Sequence, residues 1–280
     1  MEKPLKYILA EHKLVLKKAF GQNFLTDENL LAEIAEKAGV TENDTVLEIG
    51  CGAGALTREL AKRAKRVVGY EIDRRLKSVL EETLDGFTNV EIIYKDVMKE
   101  NVADIDKFLG GEYKIVANLP YYITTPIVMN FIENAEQLTS MSIMVQEEVA
   151  ARFSALPDSS DYGAITVAIN LRGSAKTVLK VPREKFTPAP NVDSAVVRID
   201  IEKGKFAGAD LKAVRSVVRA GFSSRRKMLV NNLINGLKFT REQAETVLIN
   251  AGILLTARGE TLSAADFVRL SESVKAVKNV

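Results

Sequence analysis

The sequence has few of the residues that form cross-links or metal sites. It contains one cysteine, Cys51, and one histidine, which excludes an internal disulfide and a Cys/His zinc site. No apolar run approaches the roughly 18 residues that a membrane-spanning helix needs, and the N-terminus lacks the apolar segment of a signal peptide. At 280 residues and 46% hydrophobic content, we expect a cytoplasmic protein with one large domain and a smaller one.

Acidic residues are missing from one long segment, although the whole chain carries a net charge of only +2. Residues 211–240 contain seven Lys or Arg and no Asp or Glu. The first twenty residues are also rich in lysine. Localised basic segments in a nearly neutral protein favour a polyanionic partner on one face, although basic helices can also be merely solvated.

Residues 114–126 read KIVANLPYYITTP and predict a buried strand that ends at Asn118. Pro120 fixes its own φ and favours extended geometry in the residue before it. A helix is expected to begin near 124–126. This arrangement holds an amide, backbone carbonyls and the face of Tyr121 at the end of a strand, which suits a flat ring that bears an amine. An ordinary strand-to-helix turn is the alternative.

A strand, a glycine-rich turn and a helix are predicted from Thr45 onward. The turn reads GCGAG from Gly50 to Gly54, and its glycines allow a tight bend and close approach of the backbone to a ligand. The same letters satisfy a dinucleotide-binding pattern, so the glycines alone leave NAD open. Glu48, two residues before the first glycine, and the GxGxG rhythm favour S-adenosylmethionine.

Acidic side chains follow the next two predicted strands. Glu71 ends the strand over 66–70, about 20 residues after the glycines, where a carboxylate can accept both hydroxyls of a ribose. Asp96 follows the strand over 90–94 and is expected to reach the base of the same nucleoside. Because the carboxyl ends of parallel strands meet at one edge of a sheet, these carboxylates and Asn118 should line one ligand site.

The remaining sequence predicts the end of the sheet and then a helical region. Further strands are expected over 140–145, 175–181 and 195–201, the last two antiparallel, with a helix over 147–153. Beyond a boundary near 202–208, helices are expected over 209–220, 226–235, 240–250 and 264–274.

Taken together, these motifs resemble the KsgA/RsmA family of ribosomal RNA adenine dimethyltransferases over nearly the whole length. The resemblance rests on FGQNFL from Phe20, EIGCGAGALT from Glu48, NLPYYITTPI from Asn118, FTPAPNVDSAVVR from Phe186 and FSSRRK from Phe222. Two departures are small. The family often has proline where Cys51 stands and threonine where Met228 stands.

The resemblance implies a fold, a reaction and a partner. The fold is a class I, Rossmann-like α/β methyltransferase domain over residues 1–204, with a basic N-terminal arm, and a small all-α domain over 205–280 for RNA recognition. The reaction transfers four methyl groups from S-adenosylmethionine to N6 of two adjacent adenosines in the 3′-terminal hairpin loop of 16S rRNA. The products include S-adenosylhomocysteine, and no metal is expected. The partner is the immature small ribosomal subunit, whose biogenesis the protein would assist as a monomer.

The resemblance also implies roles for individual residues. The cofactor-binding residues are Asn23, Leu25, Gly50, Glu71, Asp96 and Asn118. The catalytic segment is Asn118, Leu119, Pro120 and Tyr121: the Asn118 amide and the Leu119 carbonyl would orient the target amine, and Tyr121 would stack on the flipped base. The RNA-binding residues are expected to be Arg225, Arg226 and Lys227 of the acid-free segment, although Arg225 and Arg226 could instead pack between the two domains.

Three other functions are weighed against this one. A ribosome-binding factor without chemistry would not need Gly50, Glu71, Asp96 and Asn118 together. A methyltransferase for small molecules leaves the basic helical region unexplained. The related Erm enzymes methylate an adenosine of 23S rRNA, but they typically carry isoleucine where this chain has Leu119.

Overall fold

The computed structural model describes residues 27–278 together with residues 7, 8, 11, 12, 24 and 25. The strands are β1 (Phe24–Leu25), β2 (Thr45–Ile49), β3 (Arg66–Tyr70), β4 (Val90–Ile93), β5 (Tyr113–Asn118), β6 (Leu138–Gln146), β7 (Gly173–Val181), β8 (Phe186–Thr187) and β9 (Ser194–Ile201). The helices are α1 (Glu28–Lys37), α2 (Ala55–Ala61), α3 (Lys77–Thr83), α4 (Val102–Leu109), α5 (Tyr121–Asn134), α6 (Glu147–Phe153), α7 (Ala164–Asn170), α8 (Leu211–Gly221), α9 (Leu229–Leu237), α10 (Arg241–Asn250) and α11 (Ala264–Lys278).

A seven-stranded sheet in the order β4-β3-β2-β5-β6-β9-β7 forms the centre of the first part of the chain. The five strands from β4 to β6 are parallel, and β9 runs antiparallel to β6. The order of the parallel strands is the Rossmann order, in which the direction of winding reverses beside the first parallel strand, here β2. This confirms the predicted α/β class, and it places the ends of β2 and β5 at the switch point where such sheets bind ligands.

The sheet strands are apolar because helices shield them from water. Val46, Leu47, Ile115 and Val116 of β2 and β5 are at most 1% exposed. Continuous apolar runs of this kind are what parallel strands require when both faces are covered. The predicted strands over 66–70 and 195–201 are present with those bounds to within one residue.

The helix after Asn118 begins at Tyr121, three residues earlier than predicted. Pro120 is its N-cap, with φ −57° and ψ 129°, so the proline that ends the strand also begins the helix. Pro126 therefore lies inside α5 and cannot donate to the carbonyl of Tyr122. The hydroxyl of Thr124 donates to the Pro120 carbonyl at 3.2 Å. The first turn consequently carries Tyr121 at the edge of the sheet.

The chain divides into two compact units, Met1–Ala150 with Lys176–Ile201, and Ala151–Ala175 with Glu202–Val280. This differs from a single boundary at 204/205, because residues 151–175 belong to the helical unit. Tyr162 is fully buried among apolar side chains of α8 to α11, and its hydroxyl donates to the Leu262 carbonyl at 2.8 Å. Helix α7, in the same segment, was not predicted. Its run AITVAIN is mostly apolar, and periodicity cannot separate a buried helix from a buried strand in so short a run.

The described residues contain neither a membrane-spanning helix nor a metal-binding cluster. None of their helices is long and apolar enough to cross a bilayer. No group of three or more His, Cys, Asp or Glu side chains among them could hold a metal ion. Asn23 and most of the basic N-terminal arm lie outside the described residues.

Candidate active site

A pocket opens at the carboxyl edge of the sheet, at the switch point beside β2. One side is the glycine turn, Gly50–Gly54, and the other is the Asn118 segment, residues 118–121. Most of the remaining wall is apolar and comes from β1, α1, α2 and β6. The lining residues are Leu25, Leu31, Ile34, Cys51, Gly52, Ala53, Ala55, Leu56, Ala117, Asn118, Leu119, Pro120, Tyr121 and Met144.

The glycine turn has a backbone that only glycine adopts readily. Gly50, Gly52 and Gly54 have φ values of 77°, 57° and 84°, all in the left-handed region. A Cβ at Gly54 would also lie 3.1 Å from the side chains of Leu80 and Thr83. The turn therefore presents backbone to the pocket, which allows a ligand to approach closely.

Glu71 lies at the base of the glycine turn and is 4% exposed. Its Oε2 accepts a hydrogen bond from the Gly52 amide at 2.8 Å, and its Oε1 accepts one from the Asp73 amide at 2.8 Å. Burial raises the pKa of this carboxyl above its usual value, although the backbone amides oppose that shift. Each oxygen of a carboxylate can accept a further hydrogen bond, so Glu71 can both hold the turn and bind a pair of hydroxyls.

Two buried groups, Cys51 within the glycine turn and Glu48 in the strand before it, are packing residues. Cys51 is buried, burial raises the pKa of its thiol, and a Cβ at Gly69 would lie 2.3 Å from its Sγ. It is therefore a neutral residue packed against β3, as expected for a small side chain in the loop. Glu48 is 1% exposed, and its Oε2 has no hydrogen-bond partner among the described residues. Burial raises the pKa of Glu48 to about 8, so the carboxyl is mostly protonated at neutral pH.

Asp96 follows β4 at the same edge of the sheet, as predicted. Its Oδ1 accepts a hydrogen bond from the Met98 amide at 3.0 Å and caps a short 3-10 helix. Ile72, next to Glu71, is 58% exposed, and Met98 is 39% exposed. These two exposed apolar side chains follow neighbouring strands, and neither lines the pocket.

The Asn118 segment is held by the sheet on one side and by α5 on the other. Asn118 is the last residue of β5 and pairs with Met144 of β6. Leu119 is 2% exposed and lines the pocket. Tyr121 is half-buried, and its hydroxyl forms a 2.8 Å hydrogen bond with the hydroxyl of Ser194. Ser194 was not predicted as a site residue.

Leu25 lines the pocket because β1 pairs with β8, a strand that is distant in the sequence. It is 4% exposed and pairs antiparallel with Phe186 of β8. Gly50 donates its amide to the carbonyl of Tyr70 at 2.8 Å, which fixes the start of the turn against β3. The structure thus brings Leu25, Gly52 and the Asn118 segment around one cavity. Gly50, Glu71 and Asp96 are not among its lining residues, although Glu71 bonds to the Gly52 amide.

Arg225, Arg226 and Lys227 lie in an exposed loop before α9, whereas the sequence predicted a helix from residue 226. Met228 is extended, with φ −59° and ψ 148°, and serves as the N-cap of α9. Arg225 Nη2 donates to the Ser160 carbonyl at 2.6 Å, and its Nε lies 3.7 Å from Glu260. Both partners belong to the helical unit, so Arg225 stabilises the loop within that unit.

The sheet order and the position of the pocket are those of Rossmann-like methyltransferases that use S-adenosylmethionine. The chain belongs to the ribosomal RNA adenine dimethylase family, which it matches over residues 14–276. The predicted family, fold class and use of S-adenosylmethionine are therefore confirmed.

Proteins of known name support this assignment. Ribosomal RNA small subunit methyltransferase A of Anoxybacillus flavithermus is 45% identical over 276 residues, which cover 96% of this chain and 94% of that protein. The protein of the same name from Clostridioides difficile is 41% identical over 96% of this chain and 94% of that protein. Among solved structures, a dimethyladenosine transferase from Plasmodium falciparum has a TM-score of 0.78 and 26% identity, covering 91% of this chain and 98% of that one. The 23S rRNA methyltransferase ErmE has a TM-score of 0.69 and 32% identity, covering 90% of this chain and 100% of that one.

Proposed function

We propose that this protein dimethylates N6 of two adjacent adenosines in the 3′-terminal hairpin loop of 16S rRNA, within immature small ribosomal subunits. Four methyl groups come from S-adenosylmethionine, S-adenosylhomocysteine is released, and no metal takes part. The observation that supports this most directly is the shared cavity, because the glycine turn and the Asn118 segment border the same space. A donor site and an amine-binding site must be adjacent for a methyl group to pass between them.

The donor is held mainly by the glycine turn and the acidic strand ends. S-adenosylmethionine supplies an electrophilic methyl group when it is bound. Glu71 accepts hydrogen bonds from the ribose hydroxyls, and Asp96 accepts one from the adenine amine, between the apolar surfaces of Ile72 and Met98. Leu25 and Asn118 line the cavity, and Gly50 shapes the turn that borders it. Asn23 is assigned to the same site on the family resemblance.

The target adenine is held by the Asn118 segment. The base must leave its stack to be reached, and Tyr121 then stacks on it, a contact worth about 1–3 kcal/mol in other single-strand binders. The Asn118 side chain and the Leu119 carbonyl accept hydrogen bonds from the exocyclic amine. These bonds favour a more tetrahedral nitrogen whose lone pair faces the donor, and Pro120 keeps the segment rigid. Catalysis is mostly positioning, because an alkylated amine is acidic and needs no strong general base.

The small-subunit RNA is favoured over 23S rRNA by two observations. Relatives at 41–45% identity are named for the small subunit, whereas ErmE is 32% identical. Leu119 stands where Erm enzymes typically carry isoleucine. Residues 205–280, with exposed Arg226 and Lys227, are proposed to recognise the RNA by shape and phosphate placement. We propose a cytoplasmic monomer as the working form.

Mass spectrometry of rRNA after incubation with labelled methyl donor tests this function. Unmethylated immature small subunits, free 16S rRNA and 23S rRNA are the three substrates. We expect two adjacent dimethyladenosines in the subunits, poor methylation of free 16S rRNA and none of 23S rRNA. A single modified adenosine in 23S rRNA, or macrolide resistance on expression, would contradict the proposal.

A further inference from the structure

The ring of Tyr121 is attached to a strand that is remote in the sequence. Its hydroxyl forms a 2.8 Å hydrogen bond with the hydroxyl of Ser194, 73 positions further along the chain. Ser194 is 1% exposed, whereas Tyr121 is half-buried and lines the pocket beside Asn118. One end of the bond is therefore in the core, and the other is in the proposed amine-binding site.

Ser194 is itself fixed by the sheet. It is the first residue of β9 and pairs with Gln146, the last residue of β6. Just before it, the carbonyl of Asp193 accepts a hydrogen bond from the Glu147 amide at 3.1 Å. The hydroxyl of Ser194 is therefore held by the end of the parallel sheet and not by a free loop.

This bond restrains the aromatic ring at both ends. The Tyr121 backbone is the first residue of α5, directly after the N-cap Pro120. The hydroxyl oxygen of a tyrosine lies on the axis about which the ring turns at χ2, so fixing the backbone and the hydroxyl sets χ1 and the direction of the long axis of the ring. The ring is then held at one place in the pocket, which allows a stacked base to be held where in-line methyl transfer requires it.

We infer that Ser194 is a positioning residue that fixes where the Tyr121 ring lies for stacking on the target adenine. The inference rests on the proposed function. It assigns Ser194, the first residue of β9, a role in the reaction, through Tyr121 and not by contact with the substrate.

The test compares Tyr121→Phe, Ser194→Ala and the double variant with the wild-type enzyme. Tyr121→Phe keeps the stacking ring and removes only the hydroxyl. Ser142→Ala is the matched control, because Ser142 is a buried serine of neighbouring β6 whose hydroxyl has no hydrogen-bond partner among the described residues. The measurements are single-turnover methylation of immature small subunits, donor affinity and melting temperature.

Each single variant should slow the methyl-transfer step by about two- to tenfold, the effect of one lost hydrogen bond. The double variant should be no slower than the slower single variant, because both changes remove the same bond. Donor affinity should stay at the wild-type value in all of them, and Ser142→Ala should methylate at the wild-type rate.

Different failures have different meanings. Rates that multiply in the double variant, or a Ser194→Ala rate equal to that of Ser142→Ala, would overturn the role of Ser194 alone. A rate for Tyr121→Phe equal to the wild-type rate would also overturn the role of Ser194. This comparison remains informative even if Ser194→Ala fails to fold. A wild-type enzyme that methylates none of the small-subunit RNA would overturn the proposed function itself.

Discussion

The glycine turn is made of backbone that is held from nearby in the sequence, whereas the Asn118 segment depends on side chains held from far away. Gly52 and Glu71, which bond at the donor side, are 19 positions apart. Tyr121 and Ser194, which bond at the acceptor side, are 73 positions apart. The glycine turn of the donor site is built from a short motif, although Leu25 reaches the same pocket through the pairing of β1 with distant β8. An acceptor site that must orient a particular base recruits a second region of the chain.

The largest expected effect is on the acceptor side. Asn118→Ala should slow methyl transfer by about 100-fold, comparable to the loss of one well-placed polar group at a reacting centre. RNA binding should change little, because phosphate contacts dominate affinity. Single-turnover rates and equilibrium binding to immature subunits measure the two effects separately. Asn134→Ala, an exposed change at the other end of α5, is the control. Turnover within a few-fold of wild type would contradict the assignment of Asn118.

The corresponding change on the donor side should weaken binding of S-adenosylmethionine more than it slows methyl transfer. Glu71→Ala removes a carboxylate that accepts from Gly52 and is proposed to accept from two ribose hydroxyls. Hydrogen bonds to a charged group are worth about 1.5–3 kcal/mol each, so donor affinity should fall at least about tenfold. Calorimetry with S-adenosylmethionine measures this, with Glu81→Ala on the exposed surface of α3 as the control. Unchanged affinity would place Glu71 away from the ribose.

A pH-dependent test concerns Glu48, in the strand before the glycine turn. Its pKa is raised by burial from 4.5 to about 8, so the folded protein keeps a proton that the unfolded chain loses as the pH rises from 4.5. Stability should therefore fall between pH 4.5 and 8, and the loss should be complete above pH 8. Glu48→Gln removes this dependence, and it should melt several degrees above wild type near pH 8.5, at about 2–4 °C per kcal/mol. The two proteins should melt at similar temperatures near pH 5, and a constant difference across the pH range would contradict this account.

The smallest expected effect separates two uses of the basic loop before α9. Arg226→Ala with Lys227→Ala should flatten the salt dependence of RNA binding by about one unit of log–log slope per lost phosphate contact. Arg225→Ala should instead lower the melting temperature, because Arg225 bonds to the Ser160 carbonyl. Binding titrations at several salt concentrations and thermal melts distinguish the two. An unchanged slope in the double variant would remove Arg226 and Lys227 from the RNA surface.

The sequence by itself determined the parts whose geometry follows from local backbone rules. The glycines of the turn, which have positive φ, and Pro120, which follows Asn118, each constrain the backbone within a few residues. Glu71 directly follows the next strand. The positions of these residues could therefore be predicted without knowledge of distant contacts. The start of a helix was predicted less well where two nearby residues could each begin it. Pro120 and Pro126 could each begin α5, and the first of them does because it follows the strand directly.

Only the tertiary structure decided which distant residues meet. The Tyr121–Ser194 bond depends on β9 pairing antiparallel with β6, which puts the start of one strand beside the end of the other. Residues 151–175 join the helical unit because Tyr162, with Val167 and Leu171 of the same segment, packs into the apolar cluster formed by α8 to α11. Glu48 reads as a polar strand residue, yet it is 1% exposed once α2 and β3 pack around it. Such outcomes depend on long-range packing, which a pattern of neighbouring residues does not encode.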